Sequence, residues 1–174
     1  YGDASSQNPD LGRMINDRHF QRVAALIDKA RVLAGGQTDA GQRYIAPTLL
    51  KDISMDDAIM QEEIFGPVLP MLTYQSLEEL IGNLKKLPEY PLALYQFTSS
   101  DQVERQVLDS TQFGGGCINN TGMHVANPNL PFGGVGESGM GAYHGKNSFD
   151  AFSHKRSILK ATTLFDIKFR YAPY

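Results

Sequence analysis

Short apolar runs alternate with amphipathic stretches along most of this chain of 174 residues. The apolar runs predict short buried strands, because they are brief and rich in β-branched and aromatic side chains. The strand candidates cover residues 44–49, 68–74, 92–98, 117–119 and 155–161. Pro47 places the first at an edge or an irregular position, because proline lacks the N–H that a central strand donates, and the second contains another proline, Pro70.

The amphipathic stretches between these runs predict helices. Apolar residues at helical spacing predict one helix from an N-cap at Asp17 to about Ala30. The capping-box pattern that starts at Ser76 predicts a second helix towards residue 86, and residue 100 or 101 caps a third. Such alternation is typical of βαβ units, so the predicted fold class is α/β, with a mostly parallel sheet flanked by helices.

Composition and charge exclude several classes of function. A formal net charge of -3 gives no electrostatic footprint for nucleic acid or for an anionic membrane. No apolar run approaches the roughly 18 residues of a spanning helix, so we expect no membrane segment. The single cysteine, Cys117, cannot form an internal disulfide, which favours a reducing compartment and predicts a cytoplasmic protein. The first residues lack signal-peptide features, and the absence of Met at position 1 favours a start inside a longer protein.

A glycine-rich stretch contains one string with the pattern of a nucleotide-binding motif. Residues 134–139 match G-x-G-x-x-G, but a dinucleotide fingerprint needs a strand before it and an acidic residue about 20 positions later. Residues 127–131 predict a loop instead, and Asp150 comes too early. We therefore interpret the string as a tight loop whose glycines permit positive φ and close backbone approach.

Cys117 and the four histidines are the residues with nucleophilic or metal-binding chemistry. Cys117 with His124 or His144 is conceivable as a thiol nucleophile and its base. Free cysteine is among the most buried residue types, however, and Cys117 lies in an apolar strand candidate, which favours a structural thiol. Together with His19 and His154, these residues show no paired ligand spacing, so no metal site is predicted.

Residues 62–67 combine two adjacent carboxylates, an aromatic ring and a Gly-Pro turn just before a strand candidate. In a loop that leads into a strand of an α/β sheet, such residues face the crevice where ligands bind. A carboxylate can accept hydrogen bonds from a ribose diol, and an aromatic ring can pack against a planar heterocycle. These arguments alone favour a plainer interpretation, a surface acidic pair beside a core phenylalanine.

These strings resemble the aldehyde dehydrogenase family. Residues 60–68, MQEEIFGPV, resemble its E-E-I-F-G-P-V motif, and residues 131–139, PFGGVGESG, resemble its P-F-G-G-x-x-x-S-G motif. The chain is similar to the class-3-like branch at residues 18–22, 91–95 and 143–146. That branch oxidises medium and long aliphatic or aromatic aldehydes. The resemblance runs from Asp10 to the end of the chain.

The resemblance implies roles for three residues and a cofactor. Glu63 matches the residue that holds the nicotinamide ribose, and Phe65 matches the aromatic residue beside the nicotinamide ring. Phe132 matches an aromatic residue of the substrate pocket. The implied cofactor is NAD or NADP. In the family, a cysteine thiolate attacks the aldehyde, a backbone amide and an Asn side chain stabilise the oxyanion, hydride passes to the cofactor, and a Glu base activates the water that hydrolyses the thioester.

The resemblance also implies that this chain holds no catalytic residue. The family's nucleophile lies in a G-Q-x-C context upstream of the matching residues, whereas Cys117 lies between the two motifs. The base, the oxyanion Asn and the nucleotide-binding units are upstream in the family as well, so we expect the chain alone to be inactive. By the same resemblance, residues 1–152 are the C-terminal part of a catalytic domain. Residues 153–174 hold an oligomerisation strand at 155–161, which extends a partner's sheet in a homodimer, and a tail.

Two alternatives remain open. An independent thiol hydrolase would use Cys117 with His124 or His144, and its thiol would react at neutral pH. A non-catalytic oligomerisation or interaction module would form an oligomer of defined stoichiometry and ignore nicotinamide cofactors.

Overall fold

Short helices and strands alternate in the computed structural model, which describes residues 1, 5–87, 89–165 and 172–173. The helices are α1 (Asp17–Ala25), α2 (Leu77–Leu84), α3 (Asp101–Ser110), α4 (Met123–Ala126) and α5 (Gly145–Ala151). The strands are β1 (Val32–Ala34), β2 (Thr38–Asp39), β3 (Tyr44–Ile45), β4 (Thr48–Leu50), β5 (Val68–Pro70), β6 (Ala93–Gln96) and β7 (Gly115–Ile118). Short 3₁₀ turns lie at Ser5–Gln7, Lys29–Arg31, Ala58–Met60 and Gly136–Ser138.

Helix α1 begins and ends earlier than its sequence pattern predicts. The N-cap is Asn16, whose side chain accepts a hydrogen bond from the His19 N–H at 2.9 Å, so the predicted cap at Asp17 is wrong. The predicted end at Ala30 is also wrong, because Asp28 accepts a hydrogen bond from the Ala30 N–H and starts a separate 3₁₀ turn.

The other two predicted helix starts are confirmed. Ser76 caps α2 by accepting from the Glu79 N–H at 3.1 Å, while the Glu79 carboxylate accepts from the Gln75 N–H at 2.7 Å. In a capping box the Glu79 side chain would accept from the N–H of Ser76 itself. Here it accepts from the N–H of Gln75, the residue before the cap. Ser100, rather than Asp101, caps α3.

The α/β fold class is confirmed, and the strands fall into three sheets. Strand β4 lies between β1, to which it is antiparallel, and β5, to which it is parallel. Strands β6 and β7 form a parallel pair, and β2 and β3 form an antiparallel pair. The two parallel pairs are those joined by long connections, through residues 51–67 and through α3. The β2–β3 pair is joined by a short connection that permits only antiparallel pairing.

Pro47 has the irregular position that the sequence predicts, and the second proline, Pro70, lies on an outer strand. Pro47 separates β3 from β4, which belong to different sheets. Pro70 is the last residue of β5, an outer strand of its sheet. Strand β5 therefore ends four residues before the predicted limit at Tyr74.

The core lies between α1 and the sheet that contains β4. Val23 on α1 and Leu50 on β4 have no exposed surface. The buried cluster around them consists of Phe20, Ile45, Ile53, Ile59 and Val68. This cluster holds α1 beside the connection from β4 to β5, which contains the acidic and aromatic string at residues 62–67.

The predicted strand at residues 155–161 does not form in the single chain. Among the described residues, no backbone hydrogen bond reaches residues 154–161, and Ile158 and Leu159 are 76% and 89% exposed. A strand needs a paired neighbour, and this segment has none within the described part of the chain. Much of the predicted tail, residues 166–171 and 174, lies outside the described residues.

In the part of the chain that the structure describes, no helix has the length and apolar character needed to cross a membrane.

Candidate functional site

The acidic and aromatic string forms a loop, residues 62–67, that lies against α1 and leads into β5. The carbonyl of Pro67 accepts a hydrogen bond from the Thr48 N–H at 2.9 Å, which ties the end of the loop to β4. The preceding residue, Gly66, lies against Val23, and a Cβ added there would lie 2.9 Å from Val23 Cγ1. Because Val23 is fully buried and cannot withdraw, the loop requires glycine at this position.

Arg22 ties the beginning of the same loop to α1. Its guanidinium donates to the Ile64 carbonyl at 2.6 Å, to the Glu62 carboxylate at 2.9 Å and to the Glu63 carbonyl at 3.4 Å. No pattern in the sequence predicted this role of Arg22. Arg22 belongs to the string at residues 18–22, which resembles the class-3-like branch. No sequence pattern, however, links Arg22 to a loop 40 residues further along the chain.

The two loop residues with predicted cofactor roles, Glu63 and Phe65, are both exposed. The Glu63 carboxylate has no hydrogen-bond or ion-pair partner among the described residues. Phe65 is 78% exposed, so its plainer interpretation as a core phenylalanine is wrong. Its backbone has φ +46°, a left-handed conformation that a bulky side chain rarely adopts.

Glu63 also borders a cleft of about 560 Å³ between the loop and the second half of the chain. The opposite wall of the cleft includes Tyr90, Pro91 and Ser138. An exposed carboxylate and an exposed ring on one anchored loop fit a ribose diol and a planar heterocycle. This observation is what makes the loop a candidate site for a nicotinamide nucleotide.

Phe132, the predicted substrate-pocket residue, lies in a separate aromatic cluster. Its backbone forms an antiparallel bridge with Tyr143, with N–O distances of 3.0 and 2.9 Å. Its ring is 5.6 Å from that of Tyr143, 5.8 Å from that of His124 and 6.1 Å from that of His144, measured between centroids. Tyr95 joins the cluster through His124, at 5.7 Å. Phe132 was predicted from the sequence as a pocket residue, whereas the other four members of the cluster were not.

The structure does not bring the three predicted site residues together. Glu63 and Phe65 share one loop, whereas Phe132 belongs to the aromatic cluster. No ring contact within the described ranges joins Phe65 to that cluster. A ligand that touched all three residues would have to span the space between the loop and the cluster.

The thiol of Cys117 contacts one of the two histidines considered as its base. Its Sγ atom lies 3.6 Å from Nδ1 of His124, and no contact in the described residues joins it to His144. The side chain of Cys117 is half-buried rather than buried. His124 is 5% exposed, and its Nε2 atom is buried without a hydrogen-bond partner in the described part of the chain. The base of a thiol nucleophile is normally oriented by a third group, which His124 lacks here.

The string that matches G-x-G-x-x-G is a tight loop, as predicted. It contains the 3₁₀ turn Gly136–Ser138, and the Ser138 hydroxyl closes it by accepting from the Val135 N–H at 2.9 Å and donating to the Val135 carbonyl at 3.0 Å. No strand leads into it, because α4 and an irregular segment precede it. The residues that the structure describes contain no group of three or more His, Cys, Asp or Glu residues that could hold a metal ion.

Asp57 anchors the 3₁₀ turn Ala58–Met60 that precedes the loop. Its Oδ2 atom accepts hydrogen bonds from the Ser54 N–H at 2.7 Å and from the Arg31 guanidinium at 2.6 Å. The backbone hydrogen bond from Ser54 and the charged one from Arg31 hold the pKa of the Asp57 carboxyl below its ordinary value of 3.8.

Comparison with known proteins gives one consistent result. Residues 1–158 match the family model described as the aldehyde dehydrogenase family. The chain is 50% identical to the dimeric, NADP-preferring aldehyde dehydrogenase of Rattus norvegicus over 99% of its length. It is 54% identical to aldehyde dehydrogenase family 3 member B1 of Homo sapiens over 91% of its length. A substrate-bound structure of Staphylococcus aureus AldH superposes with a TM-score of 0.88, at 50% identity over 95% of this chain.

The match covers only part of each of these proteins. The chain spans 38% of the rat enzyme, 34% of the human protein and 37% of the Staphylococcus aureus chain. The similarity therefore extends over about a third of the relatives, which are longer proteins.

The lowered pKa of Asp57 predicts a pH-dependent contribution to stability. Above pH 3.8 the carboxylate is ionised in both states, so its bonds to Ser54 and Arg31 stabilise the fold in full. As the pH falls below 3.8 the unfolded state takes up the proton first, and this contribution is lost through the lower folded-state pKa. Asp57→Asn should therefore lower the free energy of unfolding at neutral pH, and the deficit should shrink in acid. Urea unfolding at a series of pH values measures it.

The matched control for this test is Asp56→Asn. Asp56 is exposed and makes no ion pair among the described residues. Its variant should follow the pH profile of the unchanged protein. A deficit in Asp57→Asn that stays constant at every pH would contradict the role assigned to the Asp57 carboxylate.

Proposed function

The chain belongs to the aldehyde dehydrogenase family and resembles its class-3-like branch, and we propose that the protein containing it oxidises aliphatic or aromatic aldehydes to carboxylic acids with NAD or NADP. The observation that carries the proposal is the anchored loop at residues 62–67, which leaves the Glu63 carboxylate and the Phe65 ring exposed two residues apart. The relatives over the matching residues are named as aldehyde dehydrogenases, one of them NADP-preferring.

In this proposal the chain contributes cofactor binding through the loop. The Glu63 carboxylate accepts hydrogen bonds from the hydroxyl groups of the nicotinamide ribose. The Phe65 ring packs beside the nicotinamide and limits its rotation. The bound cofactor supplies the hydride acceptor for the reaction. The chemistry itself needs a thiol, because the proposed route runs through a cysteine thiohemiacetal and then a thioester.

The aromatic cluster around Phe132 forms one wall of the proposed substrate pocket. Phe132 and Tyr143 present apolar ring surface, which suits aliphatic and aromatic aldehydes alike. The rings are held in place by the backbone bridge between these two residues rather than by side-chain packing alone. The wall is therefore preorganised, which reduces the entropy lost when an aldehyde binds.

We assign the nucleophile of the whole protein to a cysteine other than Cys117. Cys117 is the single cysteine of the 174 residues and is the penultimate residue of strand β7. Its Sγ atom contacts His124, whereas the cofactor loop is part of the other half of the chain. The 174 residues thus supply binding surfaces, and they do not supply the group that attacks the aldehyde.

The proposal predicts no turnover by the 174 residues alone. The purified chain, its mass verified, is mixed with NAD or NADP and a panel of aliphatic and aromatic aldehydes, and reduction of the nicotinamide is followed by absorbance. We expect no rate above the blank. A longer protein that contains this sequence and a cysteine in a G-Q-x-C context should reduce the cofactor. A rate from the short chain that survives further purification would contradict the assignment.

A thiol hydrolase is the second candidate, because Cys117 and His124 are in contact. The candidate predicts rapid alkylation of Cys117 at neutral pH, because a catalytic thiol has to be nucleophilic there. We expect slow alkylation by iodoacetamide instead, because the thiol is half-buried and His124 has no orienting partner among the described residues. Unfolded chain in urea provides the reference rate. A folded-state rate above that reference would favour the hydrolase and make Cys117→Ser the next variant.

We propose further that the protein is a cytoplasmic homodimer in which residues 155–161 extend a partner's sheet. Two observations support the dimer. This segment has exposed apolar residues and no backbone hydrogen bonds in the described single chain, and the rat relative is named as dimeric. The single cysteine supports a reducing compartment.

The dimer proposal predicts the mass of the longer protein in solution. Light scattering should give twice the mass of one chain. Ile158→Pro should yield monomers, because proline removes an N–H that the added strand needs for pairing. Ile158→Val, which keeps both the N–H and the β-branched shape, should remain dimeric. A monomeric mass for the unchanged protein, or dimers that tolerate proline, would refute the proposed strand.

A further inference from the structure

Arg22 contacts the candidate cofactor loop at three points, all before the exposed ring of Phe65. Its guanidinium donates hydrogen bonds to the side chain of Glu62 and to the carbonyls of Glu63 and Ile64. These two carbonyls belong to successive peptide groups. Within the described residues, these two carbonyls receive no other hydrogen bond. The Arg22 side chain is 26% exposed, and its bond to the Ile64 carbonyl is the partly buried one of the three.

The rest of the loop is fixed by contacts that do not involve Arg22. Gly66 lies against Val23, and Pro67 is bonded to Thr48 on β4. Between these fixed points and Arg22 stands Phe65, in the left-handed region at φ +46°. A bulky residue keeps that conformation only when its neighbours on both sides are held. Arg22 holds the side that contains Glu63.

Arg22 also separates the two adjacent carboxylates of the loop. Its ion pair with Glu62, at 2.9 Å, occupies one carboxylate on the surface of α1. The Glu62 carboxylate is thus engaged by Arg22, whereas the Glu63 carboxylate makes no ion pair among the described residues. Both residues border the cleft, and of the two carboxylates that of Glu63 is the one that Arg22 leaves unengaged.

We propose that Arg22 is a positioning residue for cofactor binding. It fixes the backbone at residues 62–64 so that Glu63, and not Glu62, is presented to the ribose of a nicotinamide cofactor. The proposal rests on the proposed function, because it assigns a purpose to Glu63 and Phe65 only if this loop binds that cofactor. Arg22 itself touches neither cofactor nor aldehyde in this account.

The test uses the longer protein that contains this sequence, without aldehyde, and measures binding of NADH or NADPH by nicotinamide fluorescence. Arg22→Met should raise the dissociation constant roughly tenfold, the size expected when charged hydrogen bonds that order a binding group are lost. In steady-state assays the Michaelis constant for the cofactor should rise by a similar factor. The kcat at saturating cofactor should fall much less.

Arg22→Lys is the conservative variant. An ammonium group can satisfy one loop acceptor at a time, whereas the planar guanidinium reaches two carbonyls and a carboxylate together. We therefore expect Arg22→Lys to recover only part of the lost affinity. If Arg22→Met fails to fold, Arg22→Lys still decides the question, because cofactor binding equal to that of the unchanged protein would overturn the proposal.

Arg43→Met provides the matched control. Arg43 makes the same kind of contact, because its guanidinium donates a hydrogen bond to the Ile15 carbonyl at 2.9 Å. Ile15 precedes α1 and lies outside the loop at residues 62–67. Its variant should bind the cofactor normally. If Arg43→Met weakens binding as much as Arg22→Met does, the effect reflects general loss of structure and the positioning role is refuted.

Glu63→Gln separates failure of this inference from failure of the proposed function. Unchanged cofactor affinity in Glu63→Gln and in Phe65→Leu would refute the cofactor role of the loop. Weakened affinity in both, with normal affinity in Arg22→Met, would refute the positioning role alone. If Arg22 acts through Glu63, the double variant with Arg22→Met and Glu63→Gln should bind the cofactor little more weakly than the weaker-binding single variant. If the losses of cofactor-binding free energy in the two single variants add up in the double variant, the proposal is overturned.

Discussion

The packing of Val23 against the backbone of Gly66 is the constraint on which the candidate site depends. Val23 is fully buried, and there is no space for a Cβ between it and the loop. The loop therefore cannot shift towards α1, and the Pro67 carbonyl fixes its distance from β4. Helix α1, which packs into the core, thus also positions Phe65 and Glu63, which stand one and three residues before Gly66. Changes in the packing of α1 would be transmitted to the loop without any change in the loop sequence.

Local sequence signals predicted the elements of the fold better than their partners. The cap at Ser76, the cap at residue 100 or 101 and the irregular position of Pro47 depend on neighbouring residues, and these were predicted. The cap of α1 was misplaced by one residue, because both Asn16 and Asp17 are good capping residues and the backbone angles decide between them. Pairing of β1 with β4 depends on the course of the chain between them, which no local pattern records.

The candidate site was predictable where a short string holds the residues, and not where distant parts of the chain meet. Glu63 and Phe65 were chosen from one string, and the structure leaves both exposed on one loop. Arg22, which holds that loop, is 40 residues away, and its contacts are mostly to backbone carbonyls that carry no sequence signature. Tyr143 is brought to Phe132 by one backbone bridge and His124 contacts it ring to ring, and no local sequence pattern records either contact.

The conformation of Phe65 gives the strongest physical reason to connect this loop with binding. A non-glycine residue in the left-handed region costs on the order of 1–3 kcal/mol, and the cost is offset elsewhere when the residue's own side chain is buried. The Phe65 ring is 78% exposed, so burial of the ring does not compensate here. Its neighbours hold the strained backbone instead, through Arg22 on one side and through Gly66 and Pro67 on the other. In the proposed function, these neighbours hold the Phe65 ring in the conformation in which it packs beside the nicotinamide.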